Sequence, residues 1–135
     1  MSDVLVVGSG GREFEIGRSM HESLGVGTVY FLPGNAGTDQ LPYGSNIDGD
    51  PFDVPKDTFT IIGPEAPLVA GMADELRADG RLVFGPSAKA AQLEASKAEA
   101  VGFMLDNDIA HPTSMIVDNV RDAIGFISDH APTSY

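Results

Sequence analysis

The sequence predicts an α/β fold, a mainly parallel sheet with helices on both faces. Three observations carry this. Short apolar runs at Val4–Val7, Thr28–Leu32, Thr58–Ile62 and Arg81–Phe84 read as strands, the first two of them buried. Helical patterns lie between most of them, the arrangement of βαβ units. Each run is followed at once by a Gly- or Pro-rich loop: Gly8–Gly11, Pro33–Gly37, Gly63–Pro67 and Gly85–Ser87. Ligands bind open parallel sheets at that C-terminal strand edge, so four such loops make one coherent candidate site.

In order along the chain, the opening strand is followed by Gly8-Ser9-Gly10-Gly11-Arg12-Glu13 and a helix with Ile16, Met20 and Leu24 on one face. Gly25-Val26-Gly27 closes that helix, and the second strand runs into Pro33-Gly34-Asn35-Ala36-Gly37. Asn46–Asp48 is expected as a short edge strand, and Gly49–Asp57 holds too many breakers for a helix. The third clear strand ends in Gly63-Pro64-Glu65. One helix is expected over Pro67–Asp79, with Pro at its start, Gly80 past its end and Leu68, Met72 and Leu76 inward. Further helices are expected from Ser87 to Leu93 and from Ser96 to Asn107, then a strand or extended segment over Pro112–Val117. Asp118 is expected to cap a last helix, Val120–His130, with Ala123, Ile124 and Ile127 inside. Ala131–Tyr135 shows no closing feature.

Composition narrows the function. The 135 residues suit one typical domain, and the 42% apolar fraction is that of a soluble globular protein. No run reaches the ~18 apolar residues of a membrane span, and no signal peptide is visible, so the cytoplasm is the expected compartment. Zero cysteines exclude a disulfide framework and thiolate chemistry. A formal charge of -12 opposes nucleic-acid binding. Thirteen Asp against three Lys fits either a high-salt host or plain solubility.

A strand, a glycine turn and a helix start point free N–H groups and the positive end of a helix dipole at an anion. Arg12 falls in the first helical turn, where a cation is disfavoured by roughly 0.3–1 kcal/mol. A bound anion between Arg12 and the amides would explain it; so would an ordinary surface Arg beside a tight turn. A dinucleotide site is disfavoured, because Glu13 stands where the fingerprint wants a third Gly and the second strand ends Phe31-Leu32-Pro33, with no acid for a ribose. A P-loop is excluded, since no Gly-Lys-Ser/Thr follows the glycines. His21, His111 and His130 have no metal-ligand spacing, and Ser9 has no visible base. Neither a metal site nor a catalytic residue is expected in this chain.

Taken together, the loops resemble the phosphoribosylamine–glycine ligase family (glycinamide ribonucleotide synthetases). The matching stretches are Val6–Glu13, Pro33–Thr38, Ile62–Gly71, Val83–Glu94 and Ser96-Lys97, in the family's order. The resemblance implies a Rossmann-like (pre-ATP-grasp) substrate-binding domain over residues 1–95. It also implies a short helical linker and the truncated start of an ATP-grasp region over residues 96–135. The family joins phosphoribosylamine and glycine at the expense of ATP, with Mg²⁺, in purine biosynthesis. Carried over, Gly10, Gly11, Arg12 and Glu13 would meet the sugar phosphate, and Asn35 the sugar. Pro64 and Glu65 would serve a ribose hydroxyl or the substrate amine, although Glu65 also reads as a helix-start acid. Lys97 would reach the ATP phosphates, or is a solvated Lys beside Glu94. The implied partners are the sugar-phosphate substrate and an ATP-grasp region, in cis or in trans.

Three departures qualify the resemblance. Phe14 stands where the family usually has His. Residues 47–57 are too short and broken for the helix the family runs there, so that flank is expected to be thinner or differently covered. Pro132 falls about where the ATP-grasp domain begins, so the ATP cleft, the Mg²⁺ carboxylates and most of the glycine site are expected beyond Tyr135. Neither ATP nor Mg²⁺ is expected on this chain alone, which should bind the sugar phosphate weakly without turnover. A free-standing sugar-phosphate-binding or partner module is the alternative.

Overall fold

The computed structural model describes residues 2–130, without the side chains of Ser23 and Leu24. The expectations for the Leu24 side chain and for the tail from Ala131, Pro132 included, lie outside the described residues. Backbone contacts divide the chain into two compact units, Met1–Ala95 and Ser96–Tyr135.

The first unit runs β1 (Val4–Gly8), α1 (Gly11–Leu24), β2 (Val29–Pro33), β3 (Gly44–Asn46), β4 (Phe59–Ile62), α2 (Glu65–Val69), α3 (Met72–Ala78), β5 (Val83–Phe84) and α4 (Ala88–Ala95). The strands form one sheet in the order β3-β2-β1-β4-β5, and every pair is parallel. It is a Rossmann-like α/β fold. The strand order reverses beside β1, whose register sets Val7 against Leu32 of β2 on one side and Ile62 of β4 on the other. Successive residues of β1 feed opposite faces, as the two-residue period of a strand requires. Val4 and Val6 join Val29, Phe31 and Ile61 under Ile16 and Met20 of α1. Leu5 and Val7 join Leu32 and Ile62 under Leu68, Ala73, Leu76 and Ala91 of α2, α3 and α4.

Close packing of α1 depends on Gly17. A Cβ there would run into the ring of Phe31, which is fully buried. Helix and strand therefore approach as closely as glycine permits, although the glycine lies a turn further along than a dinucleotide fingerprint would place it.

Two expectations about this unit are corrected. The single helix expected over Pro67–Asp79 is two helices, because Gly71 adopts φ +97° between them, outside the helical range. The edge strand falls at Gly44–Asn46 rather than Asn46–Asp48. It is held by backbone pairing with β2 and has no apolar pattern to advertise it.

The flank beyond it is covered by a strap, not a helix. Pro51–Asp53 makes only a 3-10 turn, and Val54 is buried in the core. Arg81, 8% exposed, holds the strap from beneath. Its Nη1 donates to the carbonyls of Val54 (3.0 Å) and Pro55 (3.2 Å), and its Nη2 to that of Phe52 (3.0 Å). Its Nε meets Asp79 at 3.1 Å. A buried cation is tolerated only when it is paired and hydrogen-bonded, and each of the three Arg81 nitrogens meets an acceptor.

In the second unit, α5 (Lys97–Asp106) is capped by Ser96, whose Oγ accepts the Glu99 N–H at 3.2 Å, and α6 spans Val120–His130. Pro112–Val117 forms no strand; its backbone has no ladder partner among the described residues. The cap of α6 is Asn119, whose Oδ1 accepts the Asp122 N–H at 3.0 Å, and not Asp118. Ile124 and Ile127, expected inside, are 59% and 60% exposed, and Ala123 is half-buried.

Replacing Arg81 by Leu is predicted to destabilise the protein by about 2–4 kcal/mol, because buried carbonyls lose their donors. Removing exposed Arg18, which pairs with Glu15 and Glu22 on α1, should cost at most about 0.5 kcal/mol. Urea denaturation checks both, and equal effects would mean that packing alone holds the strap.

Candidate functional site

The loops leaving β1, β2 and β4 are tied together at one edge of the sheet. Gly34 N–H donates to the Gly8 carbonyl (3.2 Å), and Gly63 N–H to that of Val7 (3.0 Å). Asn35 Nδ2 donates to the Ser9 carbonyl at 2.9 Å.

The centre of the arrangement is Glu13. Its residue is 4% exposed, and its carboxylate fills space left by three glycines: a Cβ on Gly8, Gly10 or Gly63 would collide with it. Gly8 also holds φ +131°, which side-chain-bearing residues rarely adopt. Glu13 Oε2 accepts the Gly10 N–H at 2.7 Å, and Oε1 accepts Arg12 Nε at 3.0 Å. Arg12 Nη2 then donates to the Gly63 carbonyl at 2.6 Å. The ends of β1 and β4 are thereby joined through one ion pair.

Burial by itself would raise the Glu13 pKa. The hydrogen bonds from Arg12 and Gly10 outweigh it, and the carboxyl is held below its ordinary value. The same pairing raises Arg12, with smaller contributions from Glu65 on α2 and Glu94 on α4.

These bonds leave the outer side of the turn open. Gly10 is the N-cap of α1 and Phe14 N–H returns to its carbonyl at 3.2 Å, but the N–H groups of Gly11 and Arg12 meet no acceptor among the described residues. They stand at the positive end of a 14-residue helix. Beside them is the Arg12 side chain, 59% exposed, with Nη1 and the remaining Nη2 hydrogen uncommitted. Two amides, a helix dipole and a guanidinium edge can together take an anion with several oxygens.

The other residues singled out in the sequence distribute as follows. Asn35 is half-buried, and its Oδ1 accepts the N–H groups of Gly37 (2.7 Å) and Thr38 (3.1 Å). With its bond to Ser9, the amide braces one loop against another and keeps a single N–H free. Pro64 is the N-cap of α2, and Glu65 opens that helix with an exposed side chain. Gly10, Gly11, Arg12, Glu13, Asn35, Pro64 and Glu65 thus belong to three loops and the helix starts that follow two of them, at one sheet edge. Lys97 belongs to the other unit, where it is the exposed first residue of α5.

Two residues of this framework were not singled out. Thr38, fully buried, accepts the Asn35 N–H through Oγ1 at 2.7 Å, and Asn46 Nδ2 donates to the Asn35 carbonyl at 2.9 Å. A Thr three residues after an Asn in a Gly-rich loop is the one local signal that pointed to such a brace.

Comparison with known proteins follows the same loops. Residues 2–94 match the family described as phosphoribosylglycinamide synthetase, N domain. The chain belongs to that family. It is 39% identical to the phosphoribosylamine–glycine ligase of Escherichia coli strain K12 over 93% of its length, which covers 32% of that relative. It is likewise 39% identical to the ligase of Neisseria meningitidis serogroup B and 38% identical to that of Caldanaerobacter subterraneus, again over 93% of this chain. It spans 31% and 32% of those two relatives. The chain therefore covers about a third of their length. Phe14 lies with its ring edge towards Gly37, facing the Asn35 loop with apolar surface.

The Glu13 shift has a sign that can be checked. A carboxyl depressed by folding contributes stability above its ordinary value of 4.5, and that contribution is lost as pH falls through the depressed folded value. Glu13→Gln is predicted to flatten the loss of urea stability below about pH 5. Asp79, lowered by Lys56 and Arg81, acts at similar pH but is present in both proteins. Identical pH slopes would contradict the Glu13 assignment.

Proposed function

We propose that this chain is the N-terminal substrate-binding part of an ATP-dependent ligase that joins phosphoribosylamine to glycine, forming glycinamide ribonucleotide in cytoplasmic purine biosynthesis. On its own it holds the sugar phosphate weakly and does not turn over. The observation that carries the reading is the seat at the start of α1: free N–H groups of Gly11 and Arg12 beside an exposed guanidinium, in a chain of this family.

In this reading the terminal phosphate of the sugar sits against the Gly10-Gly11-Arg12 turn. Charge-assisted bonds from Arg12 and dipole-aligned amides are the interactions that favour a dianion there. The free N–H of Asn35 faces a sugar hydroxyl. Glu65, exposed at the end of the β4 loop, takes the substrate amine or a ribose hydroxyl, and Pro64 fixes where it starts. Lys97 serves the ATP phosphates.

ATP and Mg²⁺ are assigned to the part of the relatives that this chain does not span. Phosphoryl transfer rests almost wholly on positioning and charge neutralisation, and in this reading both are supplied by that part of the relatives. Among the described residues no helix is long and apolar enough to cross a membrane.

Titration with ribose 5-phosphate, followed by amide NMR, tests the reading. The expected result is that shifts centre on Gly10–Glu13 and that Arg12→Ala weakens binding about tenfold or more. Shifts confined to another edge of the sheet, or indifference to Arg12→Ala, would overturn it. Incubation of the chain with ATP, glycine and phosphoribosylamine should give no product at an enzyme-like rate.

A further inference from the structure

We infer that Glu13 is a positioning residue for the anion seat: it does not touch the ligand, and it acts by aiming Arg12 and by turning the Gly10 N–H inward. The inference rests on the reading proposed above, that the start of α1 holds the sugar phosphate.

A carboxylate is an unexpected neighbour for an anion, and its place here resolves the difficulty. Both oxygens of Glu13 are engaged within the protein, with Gly10 at 2.7 Å and Arg12 at 3.0 Å. The side chain is enclosed by the backbone of Gly8, Gly10 and Gly63, where any Cβ would strike it. Its side chain is 6% exposed against 59% for Arg12. A group so enclosed has no free face for a sugar hydroxyl.

Its effect is on direction. An Arg side chain at an exposed helix start samples many rotamers, and fixing it has an entropic cost. Glu13 grips the Nε edge, and the Gly63 carbonyl takes one Nη2 hydrogen at 2.6 Å. The guanidinium is thereby fixed in plane, with its remaining N–H groups on the side away from the carboxylate. Glu65 and Glu94 also act on Arg12 from α2 and α4. Without the Glu13 bond they would compete for the same cation and draw it away from the amides. One carboxylate in the floor of the site therefore presents Arg12 to the ligand already oriented, the sense in which preorganisation raises affinity.

Glu13→Gln tests this with little change of volume. The amide has one acceptor oxygen, so either Gly10 N–H or Arg12 Nε–H is left facing an N–H donor. Ribose 5-phosphate affinity is measured for the wild type, Glu13→Gln, Arg12→Ala and the double variant. The expected result is a loss of about tenfold on Glu13→Gln when Arg12 is present and of less than about twofold when it is absent. Equal losses in both backgrounds would overturn the inference, because a direct contact or a simple brace of the fold acts whether or not Arg12 is there. In that case wild-type binding and its sensitivity to Arg12→Ala would still uphold the proposed function. Failure of the wild type to bind at Gly10–Glu13 would overturn both.

A ligand-free measurement on the wild type applies if a variant does not fold. Arg12 Nε–H should exchange with solvent more slowly than the Nε–H of exposed Arg121. Equal rates would mean that Glu13 does not hold the guanidinium, and the inference would fall.

Discussion

The ion pair between buried Glu13 and exposed Arg12 is the constraint on which the rest of the site depends. A carboxylate taken out of water is costly unless it is paired and hydrogen-bonded. Here the first turn of α1 supplies both conditions, through the Arg12 guanidinium and the Gly10 amide. The arrangement also dictates sequence at a distance. Gly8 and Gly63 are required because the carboxylate occupies the volume their side chains would fill. One interaction therefore accounts for glycines at the ends of two different strands.

The sheet order places that interaction where it can be used. With β1 central and β2 and β4 on either side, the loops after three strands emerge together beside the switch in strand order. Gly17 brings α1 down onto Phe31, so the helix start is set by close packing as well as by the turn. On the second loop, Thr38 and Asn46 fix Asn35 from below. Away from the site the same economy appears in Arg81, whose guanidinium replaces the hydrogen bonding and cover a longer connection would have supplied. Each of these loops is held by bonds from beneath, and its outer groups remain available.

Much of this was legible in the residues because parallel strands buried on both faces leave a strong mark, a continuous apolar run, and because Gly-rich loops followed each one. The edge where the loops gather and the glycine turn at the start of α1 could be named from those marks alone. Less legible were features set by backbone conformation or by side-chain direction. Gly71 at φ +97° divides a stretch that reads as one helix, and nothing distinguishes it in sequence from a tolerated helical glycine. β3 pairs through its backbone, so its position left no pattern. Between adjacent Arg12 and Glu13, the sequence could not say which points inward. The apolar period of α6 was visible, but periodicity tells which residues share a face and not whether the face is covered; Ile124 and Ile127 remain exposed.

The central claim is that the Glu13–Arg12 pair leaves the Gly11 and Arg12 amides open to receive a sugar phosphate. A crystal structure of the chain grown with ribose 5-phosphate tests it most directly. The account predicts phosphate oxygens within hydrogen-bond distance of those two amides and of the outer guanidinium edge, with Glu13 still bonded to Gly10 beneath. A phosphate bound elsewhere, or Glu13 swung out to contact the sugar, would contradict it.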